Sequence, residues 1–168
     1  MNYTKTLMIV LILLAAFSCK KGDTGPAGKD GNANVKMYTY GPQTFTGVYN
    51  YVIPGITQGQ ADSCIFLAYY VISTELATTW YPVPGLGSGG IFDTRSFVNQ
   101  SSISPAAYAL SVRILKPDGS ASYPNPVTFS KFKIVVISPS AIVAAGRVAA
   151  PVDYSDYYAV KKYYNLQD

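Results

Sequence analysis

The sequence of 168 residues contains no histidine, and only 13% of its residues are charged. The missing histidine excludes Ser-His-Asp and Cys-His catalysis, imidazole-bearing zinc sites and the commonest general base near neutral pH. The nine Asp and Glu residues include no DxDxDG arrangement of the kind that binds calcium. We therefore expect no metal site, no cofactor and no enzymatic activity.

One enzymatic alternative stays open, because two carboxylates have no local explanation. Glu75 and Asp93 would serve a glycan hydrolase if the fold placed them about 5–10 Å apart in a cleft. Three of the other acidic residues have local structural roles. Asp118 stands in a Pro-Asp-Gly turn, and Asp153 and Asp156 open the last helix, where negative charge favours the N-terminus.

Cysteine is scarce, with two residues in the chain. Cys19 belongs to the processing signal described below, which leaves Cys64 without an intramolecular disulfide partner. Cys64 opens an apolar run typical of a buried strand, and we expect it to be a small core residue rather than a reactive thiol.

Basic clusters are also missing from the globular part. Residues 35–168 carry 9 Lys and Arg against 7 Asp and Glu, without the run of basic and aromatic residues that follows a phosphate backbone. Lys161 and Lys162 are interpreted as the solvated face of a C-terminal helix. We expect no nucleic-acid partner.

The N-terminus has the organisation of a secretory signal. Lys5 precedes an apolar run from Leu7 to Phe17, which at 11 residues is too short for the roughly 20 that cross a bilayer. Ser18-Cys19 after it resembles a lipobox. Residues 1–18 are thus expected to be a lipoprotein signal peptide, and Cys19 to carry diacylglycerol and palmitate-like chains that insert into the lipid bilayer.

The residues after Cys19 favour the outer membrane. Lys20-Lys21 stands where an Asp directly after the Cys would resemble an inner-membrane retention signal. Whether the domain faces the periplasm or the cell surface is left open. The localisation predicted from sequence is therefore the cell envelope, as an outer-membrane lipoprotein.

A collagen-like segment connects this anchor to the rest of the chain. Glycine recurs at every third position at Gly22, Gly25, Gly28 and Gly31, the period that the crowded axis of a triple helix requires. Four triplets form at best a marginal triple helix, so residues 19–34 are expected to act as an extended spacer. Trimerisation remains the alternative.

Residues 35–168 are expected to form one domain. Short β-like runs separated by Gly, Pro and Asn predict seven or so strands and hence an all-β fold, a single antiparallel β-sandwich of the immunoglobulin-like class without a disulfide. The expected strands are Lys36–Tyr40, Thr46–Val52, Cys64–Ile72, Thr78–Val83, Ile91–Phe97, Ala107–Leu115 and Val127–Ile137. Residues 56–63 have room for one helical turn.

Three further segments carry specific expectations. Gly85–Gly90 lacks the Gly-Lys-Ser/Thr ending of a phosphate-binding loop, and we interpret it as a flexible connection between strands. In the strand Val127–Ile137, alternation places Phe129, Lys131 and Lys133 on one face, with the lysines toward solvent. A short C-terminal helix is expected to be capped by the segment Asp153–Asp156 and to end near Tyr164, whereas residues 141–150 fit a helix or a strand equally.

Trp80 and Tyr81 are the candidate ligand-binding residues. They are aromatic neighbours beside the Gly- and Pro-rich loop, and aromatic rings are common in contact sites. The competing interpretation is that a single Trp in a sandwich strand is part of the core and that strand tyrosines reflect β-propensity.

Together these features resemble a family of Bacteroidota envelope lipoproteins that has no assigned activity. The similarity covers most of the chain. The segments that carry it are Ser18-Cys19, the spacer ending in Gly31–Val35, the segment Ile53–Gln58, the box Trp80–Pro84, the strand Phe132–Ile137 and the ending Val152–Leu166. The resemblance implies an envelope location and a β-rich domain, and it implies no site residues.

The leading hypothesis is a membrane-anchored envelope lipoprotein whose domain is non-catalytic and binds or packs against an envelope protein or a glycan. A carbohydrate-binding accessory lipoprotein is the first alternative. It predicts at least two exposed, coplanar aromatic rings on one surface. The hydrolase described above is the second alternative.

Overall fold

The structure is a computed structural model that describes residues 34–103, 106–139 and 152–167. Strands make up 52% of the described residues. In chain order they are β1 (Val35–Tyr40), β2 (Gln43–Phe45), β3 (Val48–Ile53), β4 (Ile65–Ile72), β5 (Tyr81–Val83), β6 (Gly85–Gly87), β7 (Phe92–Ile103), β8 (Ala106–Leu115) and β9 (Val127–Ile137). The helices are α1 (Gln58–Ser63), a 3-10 turn (Ser88–Gly90) and α2 (Tyr157–Tyr163). The signal, spacer and 141–150 segments lie outside the described residues.

The strands form two antiparallel sheets, as the sequence predicts. The first sheet has the order β1-β9-β4-β5, and β2 also pairs with β9, whereas the second has the order β3-β8-β7-β6. The chain changes sheet between β2 and β3, between β3 and β4, between β5 and β6, and between β8 and β9. These crossings produce a sandwich, and with α2 at the C-terminus they confirm the expected fold class.

Aromatic rings fill the space between the sheets. Phe132 of β9 stacks on Tyr51 of β3 with centroids 3.8 Å apart and planes at 7°. Phe129 stacks on Tyr70 of β4 at 4.1 Å. All four residues are at most 2% exposed. Each such burial contributes about 1.5–3 kcal/mol, so the core lies along β9 and its partners.

The predicted facing of β9 is wrong for Phe129 and for the exposure of Lys133, whereas Phe132, Ile134 and Val136 face the core as predicted. Phe129 is fully buried and Lys133 is only 4% exposed, although Lys131 is exposed. Opposite Val71 and Ile72 the register shifts by one residue, and this bulge turns Phe129 toward the core. Lys133 does lie on the outer face of the first sheet, but α2 covers that face.

Several strand boundaries also differ from the prediction. Strand β5 begins three residues later than predicted, and β7 extends six residues further. The predicted strand Thr46–Val52 begins two residues too early, because Thr46 and Gly47 form the bend between β2 and β3. Gly47 adopts a φ of 77° there, and the chain passes from one sheet to the other. The loop Gly85–Gly90 contains β6 and the 3-10 turn. It is tied to β7 by the Thr94 hydroxyl, which donates to the carbonyl of Gly85 at 2.8 Å.

Two local elements follow the sequence closely. The helical turn expected in residues 56–63 is α1, whose N-cap Thr57 forms a capping box with Gln60. Cys64 ends α1 and is half-buried against the core rather than fully enclosed. Within the described part of the chain it is a free thiol.

The C-terminal helix packs on the outer face of the first sheet. Its N-cap is Asp156, whose carboxylate accepts from the backbone N–H of Tyr158 at 2.8 Å. Tyr157, Val160 and Tyr164 are buried beneath it. The outer face of β4 is therefore covered by α2 and its inner face by the second sheet, which confirms the expectation of a strand buried on both sides.

Gly87→Ala is expected to destabilise the domain. A Cβ at this position would meet the hydroxyl of Tyr70 and the ring of Phe92, both of which are buried. We expect a loss of about 1–3 kcal/mol from this overpacking, measured by urea denaturation. Gly41→Ala is the matched control, because a Cβ there has nothing within 4 Å. Equal stability of the two variants would contradict the packing described for β6.

Candidate functional site

The two residues selected from the sequence lie on opposite sides of the first sheet. Trp80 packs on the outer side, with its ring centroid 4.3 Å from that of Tyr157 in α2. Tyr81 stacks on Tyr70 toward the core, with centroids 5.5 Å apart, and donates to a carboxylate oxygen of Glu75 at 2.7 Å. The structure therefore does not join them in one contact surface.

Trp80 borders an open groove of about 430 Å³, which we call the Trp80 groove. The outer face of β1 and β9 forms its floor, α2 forms one wall, and the loop before β5 forms the other. Its lining residues are Thr39, Ala77, Thr78, Trp80, Lys131, Lys133, Tyr157, Tyr158 and Lys161. The volume falls within the roughly 300–1,000 Å³ typical of small-molecule sites.

Lys133 occupies the floor of the Trp80 groove. Its Nζ donates to the hydroxyl of Tyr157 at 2.6 Å. The same atom lies 5.3 Å from the ring centroid of Trp80 and 5.0 Å from that of Tyr157. These distances correspond to cation–π contacts. A nearly buried lysine needs such compensation, so the two rings and the hydroxyl hold its amino group beneath the groove.

The walls of the groove are tied to each other. Tyr158, which is 49% exposed, donates from its hydroxyl to the carbonyl of Thr78 at 3.0 Å. This bond joins the first turn of α2 to the loop before β5. Since the Asp156 cap fixes the same turn, Trp80, Tyr157 and Tyr158 are positioned by elements that restrain one another.

The groove is lined by charge of one sign. Lys131, Lys133 and Lys161 contribute to it, and none of the described lining residues is Asp or Glu. The acids that open α2 are engaged locally. Asp153 accepts from the hydroxyl and backbone N–H of Ser155, and these hydrogen bonds hold its carboxyl pKa below the ordinary range. The local electrostatics favour a negatively charged group.

Two further clefts differ from the Trp80 groove in that no charged side chain is among their described lining residues. One of about 370 Å³ lies at the sheet edge and is lined by Tyr40, Gly41, Pro42, Gln43, Tyr49, Asn50, Tyr51 and Val52. The other, of about 210 Å³, is lined by Ile72, Ser73, Thr74, Ser88, Ile91, Phe92, Tyr123, Pro126, Val127 and Thr128.

The two carboxylates of the hydrolase alternative each have a structural partner. Glu75 accepts from Tyr81, and this hydrogen bond raises the pKa of the Tyr81 hydroxyl. Asp93 forms an ion pair with Arg95 at 3.3 Å. Neither residue lines the Trp80 groove. Within residues 34–103, 106–139 and 152–167, no three Cys, Asp or Glu side chains group as metal ligands.

Sequence reasoning found Trp80 but missed the lysines and the tyrosines of α2. Lys133 follows the alternation of a solvent-facing position, and the helix that covers this outer face leaves no signal within the strand. A usable signal was the apolar spacing of Tyr157, Val160 and Tyr164, which requires a sheet face to cover.

Comparison with known protein families, with curated proteins and with solved structures finds no match to this chain. The resemblance to Bacteroidota lipoproteins accordingly stays a prediction from sequence. None of the helices in the described part of the chain combines the length and the apolar character needed to cross a membrane.

Proposed function

We propose that the protein is an outer-membrane lipoprotein, held by acylated Cys19, whose β-sandwich is a non-catalytic binding domain that uses the Trp80 groove. The observation that supports binding is the convergence of Trp80, Tyr158 and three lysines on one cavity. The lipobox supports the anchor, and the Gly-x-y segment is proposed to be a spacer between the bilayer and the domain.

The anchor is tested by the substitution Cys19→Ala. Cells grown with labelled palmitate should label the wild-type protein and should not label the variant, because the thioether that carries the acyl chains requires the thiol. Cys64→Ala is the matched control and should keep the label, since that thiol belongs to the folded domain. A Cys19→Ala protein that still carried label would refute the assignment.

A glycan is the favoured partner over an envelope protein, because exposed ring surface lies beside hydrogen-bonding groups in the groove. Trp80 and Tyr157 do not form the pair of exposed, coplanar rings that is expected from the sequence for a carbohydrate-binding lipoprotein, so the proposed subsite has separate rings rather than a flat platform. The ring planes of Trp80 and Tyr157 are inclined by 32°, and Tyr157 is buried. Trp80 and the half-exposed Tyr158 are the rings available to stack on a sugar.

The groove is tested by a glycan array and an envelope pull-down with wild-type protein and Trp80→Ala. We expect the substitution to weaken binding at least about tenfold, as for a central aromatic contact. Tyr158→Ala is a second variant. The ring of Tyr158 is half-exposed, so its removal should disturb the packing of the domain less than the removal of Trp80. Tyr163→Ala is the control, since its ring is 53% exposed on the same helix outside the groove. Binding that survives both groove substitutions would exclude the site.

A further inference from the structure

We propose that the Trp80 groove selects negatively charged sugars, which are glycans that carry a carboxylate or a phosphate group. This inference rests on the proposed function and specifies the ligand class of that site. It is carried by the lysines and aromatic rings that surround one cavity, as the following contacts show.

The cationic groups approach the cavity from two elements. Lys131 and Lys133 extend from β9, and Lys161 extends from α2 one turn beyond Tyr157. Lys131 is exposed and Lys161 is half-buried, so both reach the opening, whereas Lys133 lies at the floor. Lysine donates as a point charge to carboxylate and phosphate alike. An anion in the groove would thus meet positive charge from the floor and from one wall.

The rings determine which anions fit. Trp80 and Tyr158 present apolar surface within the same cavity, and a sugar ring offers C–H faces that pack on aromatic surface. A small inorganic ion would use the lysines and leave the rings unpaired. A neutral sugar would use the rings and form no ionic contact with the lysines. A charged sugar uses both, which is the mixture of apolar contact and few polar groups typical of ligand sites.

The position of the groove favours a ligand from the aqueous phase over a lipid headgroup. The spacer leads into β1 at Val35, which pairs with Ile137, whereas the groove includes Thr39, which pairs with Lys133. Four residues of strand separate them by about 13 Å. The groove therefore lies toward the end of β1 that is farther from Val35, the residue at which the proposed spacer enters the domain.

The test uses the fluorescence of Trp80, the single tryptophan of the chain. The full-length protein in non-ionic detergent is titrated with oligogalacturonate and with the same oligosaccharide after reduction of its carboxyl groups. Mannose 6-phosphate and mannose form the second pair. We expect each charged sugar to bind at least about tenfold more tightly than its neutral counterpart. The advantage should shrink when salt is raised from about 50 mM to about 500 mM.

Charge variants locate the effect. Lys131→Gln and Lys161→Gln should each reduce affinity for the charged sugars about fivefold to tenfold and affinity for the neutral sugars by less. Lys162→Gln is the matched control, because it removes the same charge from the next position of α2 and does not line the groove. An equal loss in the control would overturn the inference in favour of a general charge effect.

The other outcomes are also decisive. Equal affinity for a charged sugar and its neutral counterpart would overturn the inference and keep the proposed binding function. If none of the four sugars binds but glycan-array ligands still require Trp80, the inference is likewise overturned and the proposed binding function is kept. Tighter binding to vesicles of anionic lipid than to any sugar would assign the groove to the membrane surface instead. Loss of Trp80 dependence on the array would reject both proposals.

Discussion

Raising the pH from about 10 to about 12 is expected to unfold the β-sandwich, because its folded state keeps buried tyrosines neutral. Burial raises the pKa of Tyr51, Tyr69 and Tyr70 above the ordinary value of 10.0. All three side chains are at most 2% exposed. Burial also raises the pKa of Tyr40, which is less enclosed, to about 12.

The loss of stability at high pH follows from the different tyrosine pKa values in the folded and the unfolded chain. Below about pH 10 these hydroxyls are neutral in the folded and the unfolded chain, so their stabilising contribution is present in full. Above that value the unfolded chain ionises first, and it gains about 1.4 kcal/mol per group for each further pH unit. The three most buried tyrosines together remove about 8 kcal/mol by pH 12, which is comparable to the stability of an ordinary domain.

Tyrosinate absorbance and circular dichroism, followed in one pH titration, measure this effect. We expect the three buried tyrosines to ionise together with the loss of β-structure, at a midpoint between about pH 11 and 12. Tyr51→Phe should move that midpoint upward, because it removes one titrating group whose hydroxyl has no hydrogen-bond partner among the described residues. Complete ionisation of all tyrosines with the β-structure intact would contradict the burial described here.

Phe132→Ala is expected to cost about 3–5 kcal/mol in the free energy of unfolding. Phe132 has no exposed surface and stacks on Tyr51 across the two sheets at 3.8 Å. It also lies parallel to Phe129, with centroids 6.0 Å apart. Removing the ring leaves a cavity between the two sheets, and this loss of packing adds to the lost burial of the ring.

Urea denaturation of Phe132→Ala and Phe97→Ala provides the comparison. Phe97 is 42% exposed on the outer face of the second sheet, where Arg113 lies 5.2 Å above its ring. The same substitution there is expected to cost less than about 1 kcal/mol. A loss at Phe97 equal to that at Phe132 would mean that the core does not lie along β9.

The fold class was predictable because apolar and polar residues alternate along the strands, and Gly, Pro and Asn residues stand between them. Val127–Ile137 and Ala107–Leu115 have strand propensity along their whole length, and their predicted bounds agree with β9 and β8 within one residue. The assignment of strands to sheets was not predictable from such local patterns. It depends on tertiary features such as Gly47, where a left-handed φ carries the chain from one sheet to the other.

Only one residue of the candidate site was predictable from the sequence. Trp80 stands out as the single tryptophan, but its partners come from strands and a helix that are far apart in sequence. Lys133 was assigned to solvent because alternation cannot reveal a helix that covers the face. Neighbouring positions in an extended chain face opposite sides of a sheet, so Tyr81 points away from the side that Trp80 occupies. The sequence prediction used this alternation for β9 but not for Trp80 and Tyr81.

The most direct test of the account is a ¹H–¹⁵N NMR titration of the protein with the tightest ligand from the glycan array. The single indole N–H of Trp80 gives one resolved reporter. We predict that this signal shifts together with the backbone signals of Thr39, Thr78 and Lys131. An unmoved indole signal, with shifts confined to the outer face of the second sheet around Phe97 and Arg113, would contradict the assignment of the Trp80 groove as the binding site.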